Sequence, residues 1–390
     1  VADVPMSPQI LTELHIVNTT GETMSIPNNF LKGCTNLRKL NLSGIKTTSI
    51  QNTYLAFPDA RNFAVDRLEE LAVPEIVEGT EGSEITITDF LNISTGMTSL
   101  KKVDLTGFKN VKRIKGWYFC NNCRAIEDIN LSAMTNLVET GVGFLYNCSG
   151  IKNIDVSGLT NLQVIRNSFM VNCTSLEKLD MSKMLNLKVI GAEFLKNCTS
   201  LTTFIFPGEE AEGFKTFSSI QSIGWDTECN DWKVWGQFLS GCTSVTSLDF
   251  SRFNKYNLGG QSYEVSNVDA EFRTKPRQTI YATRDGLTDS EASLMLFDCE
   301  SLTNVNFGNL VYSNFSGSNY SFVSTGTDTA SFYTKSFATE AEANDYIANG
   351  QGVTYEGSDL VDNTLFKSST NPQKVGDLWY ARKFVKKVSI

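Results

Sequence analysis

The sequence predicts an α/β repeat fold, a solenoid in which short parallel strands form one wall and irregular or short helical segments form the other. One observation behind this is a 25-residue period, seen in a phenylalanine and a cysteine column: Phe119, Phe144, Phe169 and Phe194, and Cys123, Cys148, Cys173 and Cys198. Another is an aliphatic pattern after each cysteine whose last two apolar residues are two apart, the period of a strand. Because repeats of about 20–50 residues indicate stacked units, we expect one continuous core.

About ten repeats place the solenoid at residues 1–310. The aliphatic anchor after the cysteine column recurs at Leu37, Leu100, Ile126, Ile151, Leu176, Leu201, Val245 and Leu302. Weaker copies lie at 68–73 and 11–16, and we expect the latter to be an N-terminal cap because a terminal repeat has only one neighbour. The wide spacing of the last anchors places insertions at 207–237 and 254–293.

Each strand is expected to turn its aliphatic residues inward and its polar residues outward. Leu40 and Leu42, for example, are two apart and share one side. Strands of this kind, stacked in register, form a parallel sheet with columns of polar side chains outside. We interpret these columns as a candidate ligand-binding strand face: Lys39, Asn41, Lys102, Asp104, Asp128, Asn130, Asn153, Asp155, Lys178, Asp180 and Asp249.

Alternatives remain for this strand face. The Asx residues and the hydroxyl residues two positions later could satisfy one another and the turn after the strand. They could instead form a polar, mildly acidic recognition face. A third possibility is a cation bridging Asp155 and Asp180, since both are hard oxygen ligands.

The position before the cysteine is predicted to have positive φ. It holds only residues that tolerate the left-handed region: Gly33, Asn122, Asn147, Asn172, Asn197, Gly241 and Asp298. The alternative is that Asn147, Asn172 and Asn197 are glycosylation acceptors in Asn-x-Ser/Thr sequences. The backbone interpretation is favoured because glycine occupies the same position.

Seven of the nine cysteines share one column, and we expect them to pack as small buried hydrophobes. Met97 and Val65 fill this column in two other copies, which indicates an apolar slot. The alternatives are a disulfide involving Cys120 or Cys229, and a metal site at Cys120-x-x-Cys123. The metal site is disfavoured because no second pair of ligands lies near it in the sequence.

The repeat resembles the BspA-like leucine-rich repeats over about residues 10–310. The resemblance is carried by the segments Phe144-Leu-Tyr-Asn-Cys-Ser, Phe169-Met-Val-Asn-Cys-Thr-Ser-Leu and Phe194-Leu-Lys-Asn-Cys-Thr-Ser-Leu, with Ile-Gly turns at Ile190-Gly191 and Ile223-Gly224. It implies a leucine-rich-repeat solenoid without catalytic residues or cofactors, secreted or on the cell surface and acting in adhesion. The chain departs from the family where Ser replaces the usual Pro after the strand; only Pro74 and Pro207 fit.

Composition disfavours several functional classes. The net charge of −9 argues against binding nucleic acid or anionic lipid. There is no apolar run long enough to predict a transmembrane helix, and no signal segment or anchor is visible. The single histidine, His15, is expected to be an exposed strand residue, and no nucleophile motif or phosphate loop accompanies it. We therefore predict no enzyme, no cofactor and no metal.

The two insertions offer further candidates. The first contains Trp225, Trp232 and Trp235 among acidic residues, a composition suited to stacking on a glycan or to a protein hot spot. Alternatively, this loop folds back over the core. The second clusters Arg273, Lys275, Arg277 and Arg284, and a solvated loop is the favoured interpretation.

Residues 311–390 abandon the repeat and are predicted to be a C-terminal capping segment or small domain. Residues 339–347 predict a short helix with Thr339 as N-cap, ending at Asn349-Gly350. Residues 377–388 predict one aromatic strand, and 316–329 a loop or linker.

These observations favour a non-catalytic secreted or cell-surface interaction or adhesion protein. Its expected partner is a protein, such as host extracellular matrix or a component of another cell. The alternatives are a carbohydrate-binding module that uses the tryptophan-rich insertion, and a structural spacer.

Overall fold

A computed structural model describes most of the repeat region and part of the C-terminal segment. The described residues are 10–26, 31, 33–48, 67–88, 90–91, 97–208, 210–211, 214–215, 220, 222–223, 237–251, 256–258, 278–280, 298–308, 310–312, 335–357 and 368–387. The chain divides into two compact units. The first comprises residues 1–165 and 169–176, and the second comprises 166–168 and 177–390.

The first unit contains eleven strands among its described residues, with a 3₁₀ turn at Thr106–Phe108. The strands are β1 (Glu13–Val17), β2 (Lys39–Gly44), β3 (Lys46–Thr47), β4 (Glu70–Ala72), β5 (Glu75–Ile76), β6 (Thr86–Thr88), β7 (Lys102–Asp104), β8 (Arg113–Lys115), β9 (Asp128–Asn130), β10 (Asn153–Asp155) and β11 (Val164–Ile165). β1, β2, β4 and β7 form a parallel sheet in that order, and β9 pairs with β10. A second wall carries the parallel pairs β3–β5 and β6–β8.

The second unit contains sixteen strands and one α-helix in the part that the structure describes. These are β12 (Lys178–Asp180), β13 (Val189–Ile190), β14 (Thr203–Ile205), β15 (Glu210–Ala211), β16 (Phe214–Lys215), β17 (Ser222–Ile223), β18 (Ser247–Asp249), β19 (Tyr256–Leu258), β20 (Gln278–Ile280), β21 (Asn304–Asn306), β22 (Leu310–Tyr312), β23 (Lys335–Phe337), α1 (Glu340–Asn349), β24 (Val353–Glu356), β25 (Gln373–Val375), β26 (Leu378–Ala381) and β27 (Phe384–Lys386).

Parallel pairing dominates the second unit too. β12 pairs with β14, and β18, β21, β24 and β27 form a four-stranded sheet in that order. The second wall follows the order β13, β17, β20, β19, β22. The parallel sheet thus continues beyond residue 310, because β24 and β27 extend it; the division into 1–310 and 311–390 stays a prediction.

Equal register between repeats builds the core. The rings of Phe119 and Phe144 stack with centroids 4.7 Å apart, and those of Phe144 and Phe169 stack at 5.4 Å. In the second unit, Phe194 and Phe238 stack in the same way at 5.6 Å. Each of these rings is fully buried. Equivalent turns in neighbouring repeats place identical rings against one another, whether the repeat is 25 residues long or carries an insertion, as between Phe194 and Phe238. The parallel-strand solenoid predicted from the period is confirmed.

The prediction of positive φ before the cysteine is confirmed at every position of that column. The φ angles are 87° at Gly33, 55° at Asn122, 59° at Asn147, 59° at Asn172, 59° at Asn197, 75° at Gly241 and 54° at Asp298. The asparagine side chains also form a ladder, because Asn147 Nδ2 donates to Asn122 Oδ1 at 3.0 Å and Asn172 Nδ2 donates to Asn147 Oδ1 at 2.6 Å. The side-chain amides of Asn147 and Asn172 therefore have a structural role in this ladder, in addition to the positive φ of the backbone at both residues.

The phenylalanine-led segment is a turn in which positive φ recurs at alternate residues. In one repeat these are Ser168, Met170 and Asn172, with φ of 60°, 54° and 59°. Their backbone amides reach neighbouring repeats: Met170 N–H donates to Phe144 O at 2.8 Å. Bulky residues rarely adopt positive φ, and sequence reasoning did not find the positions other than asparagine and glycine.

The cysteine column packs as predicted. All eight described cysteines are free and buried, Cys120 among them; Cys229 lies outside the described residues. Several thiols donate to a carbonyl of the preceding repeat: Cys148 Sγ to Cys120 O at 2.8 Å, Cys173 Sγ to Leu145 O at 3.2 Å and Cys242 Sγ to Leu195 O at 3.1 Å. Burial raises the pKa of Cys173 to about 12, so this thiol stays protonated and unreactive.

The C-terminal helix begins where the sequence predicts. Thr339 caps α1 in a capping box, because its side chain accepts from Glu342 N–H at 3.3 Å and Glu342 Oε2 accepts from Thr339 N–H at 3.0 Å. The single aromatic strand predicted at 377–388 is wrong. The chain forms two strands there, β26 in a small antiparallel sheet and β27 in the parallel sheet, because Arg382 between them pairs its backbone with Ser369.

Candidate functional site

The strand face of the first unit carries charges that alternate from one repeat to the next. The first outward position of the strands, which we call the outer column, holds Glu13, Lys39, Glu70 and Lys102 in continuous register, and Asp128 paired with Asn153. Lys39 Nζ lies 3.5 Å from carboxylates of both Glu13 and Glu70. These two charges raise the pKa of Lys39.

The position just before each strand repeats this pairing. Glu69 accepts from Arg38 at 2.6 Å and from Lys101 at 2.9 Å, and Lys152 contacts Glu127 at 2.8 Å. Hydrogen bonds from Lys101 and Arg38 lower the pKa of Glu69. The charges at these positions of the first unit are thus compensated by the neighbouring repeat.

The second outward position holds Asn or Asp in seven strands, which we call the Asx column, and there it ends the strand with a turn. The side-chain oxygen accepts from the backbone N–H two residues later in all seven copies: Asn41 to Ser43 at 2.9 Å, Asp104 to Thr106 at 3.0 Å, Asn130 to Ser132 at 2.7 Å, Asp155 to Ser157 at 3.0 Å, Asp180 to Ser182 at 3.1 Å, Asp249 to Ser251 at 2.8 Å and Asn306 to Gly308 at 2.9 Å. This is the turn-forming alternative considered above. The turn uses one oxygen of each aspartate, and the second oxygen of Asp180 lies 3.2 Å from Lys178 Nζ.

The metal alternatives find no ligand set in the described part of the chain. No group of three or more His, Cys, Asp or Glu side chains lies close enough there to hold an ion. None of the four candidate ligands belongs to such a group, and the structure describes all of them: Asp155, Asp180, Cys120 and Cys123.

The outer column changes character in the second unit. After Lys178, whose Nζ lies 3.2 Å from Asp180, the column holds Thr203, Ser247, Asn304 and Thr354. Threonines also precede the strands, and Thr303 Oγ1 donates to Thr246 O at 3.0 Å. Hydroxyl and amide groups therefore replace the ion pairs of the first unit.

A shallow groove of about 220 Å³ crosses β18, β21 and β24 on this face. Its polar lining is Ser247, Asp249, Asn304, Asn306, Thr354 and Glu356. Lys387 stands at the groove as well, and its Nζ lies 2.9 Å from Glu356 Oε2. The centres of the three strands, Leu248, Val305 and Tyr355, are buried beneath it.

The structure brings together only part of the predicted site. Lys39 and Lys102 lie in one column, and Asn153 Nδ2 donates to Asp128 Oδ1 at 2.8 Å. Asp249 lies in the groove. Sequence reasoning missed Thr354 and Glu356 because they follow residue 310, yet the strand period in Val-Thr-Tyr-Glu could have found them.

The remaining candidates from the sequence are His15 and the residues of the two insertions. His15 is exposed on β1, as predicted. Trp225, Trp232 and Trp235 lie outside the described residues, as do Arg273, Lys275, Arg277 and Arg284. The roles proposed for the two insertions therefore stay predictions. None of the helices in the described ranges has the length and apolar character needed to span a bilayer.

Comparison with known proteins places the repeat in a family. Residues 95–224 match the model of the BspA type leucine rich repeat region in six copies. A leucine-rich repeat protein of known crystal structure from Bacteroides ovatus ATCC 8483 is similar at 14% identity, over 79% of this chain and 85% of that one, with a TM-score of 0.24. No curated protein matches the sequence significantly. Residues 95–224 thus match a BspA-type leucine-rich repeat region, and the chain folds as a parallel-strand solenoid in keeping with a leucine-rich repeat.

Proposed function

We propose that the chain is a non-catalytic interaction protein that binds protein ligands with the outward strand face, at the cell surface or in secreted form, and serves in adhesion. Leucine-rich repeats generally mediate protein interactions and are generally not enzymes, and BspA-type proteins are typically secreted or on the surface. The finer roles, adhesion to host matrix or to other cells, come from that likeness.

The observation that carries this proposal is the regularity of the strand face. In each unit, outward side chains stand in columns with the same register from strand to strand, and neighbouring strands are about 4.8 Å apart. The chemistry of these outward side chains sets what the face can recognise. A large face of fixed polar groups suits a protein surface better than it suits a reacting small molecule.

The test is a binding screen of the purified chain against extracellular-matrix proteins and glycans, side by side. We expect saturable binding to at least one protein, weakened when outward charges are altered by Lys102→Glu and Asp128→Lys. A control with Glu340→Lys changes the charge on an exposed residue of α1, which contributes no residue to the strand face. Binding to glycans alone, lost with Trp232→Ala and Trp235→Ala, would replace this proposal with the carbohydrate-binding alternative. If the chain binds nothing on either array, a role as a structural spacer is favoured.

A further inference from the structure

The groove across β18, β21 and β24 is a local feature that the repeat does not require. Here the outward side chains of three strands leave about 220 Å³ of space between them. Pockets for small-molecule ligands usually measure about 300–1,000 Å³. The space therefore suits one side chain of a partner rather than a whole small molecule.

Hydrogen-bond acceptors predominate in this groove. Asp249 Oδ1 accepts from Ser251 N–H at 2.8 Å, which leaves Oδ2 for another donor. Asn304 Nδ2 donates to Thr303 Oγ1 at 3.1 Å, which leaves Asn304 Oδ1 as an acceptor. These acceptors lie on neighbouring strands in a diagonal arrangement, because Asp249 pairs with Asn306 and Asn304 pairs with Ser247. Their Cα atoms are therefore about 8 Å apart. An occupant with several donors in one plane would satisfy them best.

The charges of the groove also favour a cationic occupant. Of its two carboxylates, Glu356 already pairs with the ammonium of Lys387 at 2.9 Å. That contact shows that the acidic side of the groove accepts a cation. Asp249 makes no ion pair among the described residues, so the lining retains one uncompensated negative charge. The net charge of −9 for the whole chain attracts basic partners toward it.

We propose that this groove binds an arginine side chain of a protein partner, with Asp249 as the counter-ion; the inference rests on the protein-binding function proposed above. Arginine presents five donors in a rigid planar fork, whereas lysine is a point charge with three. Because its donors point to different sides of one plane, the guanidinium can donate to Asp249 Oδ2 and to an acceptor diagonal to it, Asn304 Oδ1. In the first unit, Lys39, Arg38 and Lys101 already pair with glutamates of the strand face, and no such groove is described at Asp155.

The test uses the full chain labelled with ¹⁵N-asparagine and titrated with acetyl-Gly-Arg-Gly-amide, followed through the side-chain amide signals. We expect shifts at Asn304 and Asn306 with binding in the millimolar range. The same peptide with citrulline, which is neutral and nearly isosteric, should bind at least about fivefold more weakly. Asp249→Asn should weaken the arginine peptide by a similar factor.

Asp155→Asn is the matched control. Asp155 occupies the Asx column, makes the same turn with Ser157 and loses the same charge, but lies in the first unit. Asparagine naturally fills this column at Asn41, Asn130 and Asn306, so both variants keep the turn. The control should change peptide binding less than twofold.

Equal binding of the arginine and citrulline peptides would overturn the proposal, as would an equal loss in the two variants. Shifts at Asn304 and Asn306 with a neutral oligosaccharide and none with the arginine peptide would assign the groove to a sugar instead. The two proposals can fail separately. If the screen captures a protein and Asp249→Asn does not change its binding, only the arginine site is rejected. If the screen captures no protein, the interaction function itself is rejected.

Discussion

At the residue scale, one position in each repeat sets the backbone of the turn. Asparagine or glycine fills it almost throughout, since both tolerate positive φ. Asp298 is the exception, with φ of 54° and a buried Oδ1 that has no hydrogen-bond partner. Burial, and then the neighbouring charge of Glu300, raises its pKa from 3.8 to about 6. An aspartate at this position therefore lowers the stability of the folded protein near neutral pH.

This exception predicts that Asp298→Asn stabilises the protein at neutral pH. The folded state holds a proton that the unfolded state releases between pH 3.8 and about 6, so the native protein loses stability as pH rises through this interval. Because Asp298 is only partly buried, we expect a gain of about 1–2 kcal/mol at pH 7.5. Thermal unfolding at pH 7.5 and pH 4 measures it, and the gain should be nearly absent at pH 4.

Asp377→Asn, in an exposed turn, is the control and should leave the midpoint nearly unchanged at both pH values. A gain for Asp298→Asn of the same size at pH 4 and at pH 7.5 would contradict the role of ionisation.

At the scale of the structural element, the turn behind the strands behaves as a second backbone ladder. Alternate residues with positive φ direct their N–H groups to neighbouring repeats, as in Leu145 to Phe119 and Asn147 to Val171, both at 2.8 Å. The asparagine amides add a side-chain ladder to it. Repeats are therefore joined on the turn side as well as through the strands.

The ladder predicts that Asn147→Ala is more harmful than Asn147→Gly. Both variants lose the side-chain hydrogen bonds to Asn122 and Asn172, each worth about 0.5–1.5 kcal/mol. The free-energy cost of positive φ is also about 1 kcal/mol higher for alanine than for glycine. Urea unfolding should give a total loss of about 2–4 kcal/mol for alanine.

Glycine should be about 1 kcal/mol more stable than alanine at this position. If alanine proved equal to or more stable than glycine, positive φ would not be what selects asparagine here.

At the scale of the whole molecule, the same structural columns carry different chemistry in the two units. The outer column of the first unit alternates Glu13, Lys39, Glu70 and Lys102, whereas that of the second holds mostly hydroxyl and amide groups. Alternation places unlike charges opposite one another in a parallel sheet, and like charges there would repel. The pattern stabilises the stack of strands and leaves little net charge on that part of the surface.

Alternation predicts that Lys39→Glu lowers the melting temperature, since it would put a third carboxylate between Glu13 and Glu70. The loss should be larger at low ionic strength than in 0.5 M salt, because salt screens exposed charges. The double variant Lys39→Glu with Glu13→Lys should recover part of the loss by restoring an unlike pair, since Glu13 has Lys39 as its neighbour in the outer column while Glu70 also faces Lys102. A loss that does not depend on salt would show that packing of the lysine stem, and not charge, is responsible.

The sequence by itself determined the solenoid, the inward and outward sides of the strands, the packed thiols, the positive φ column and the cap of α1. Each of these depends on neighbours within one repeat or on the constant period between repeats, so a periodic pattern reports it. Only the tertiary structure decided that the Asx residues end the strands in turns, that residues 353–356 and 384–386 extend the sheet, and that a groove forms at Asp249. These features depend on which strands become neighbours across long or irregular connections, and local periodicity does not encode that pairing.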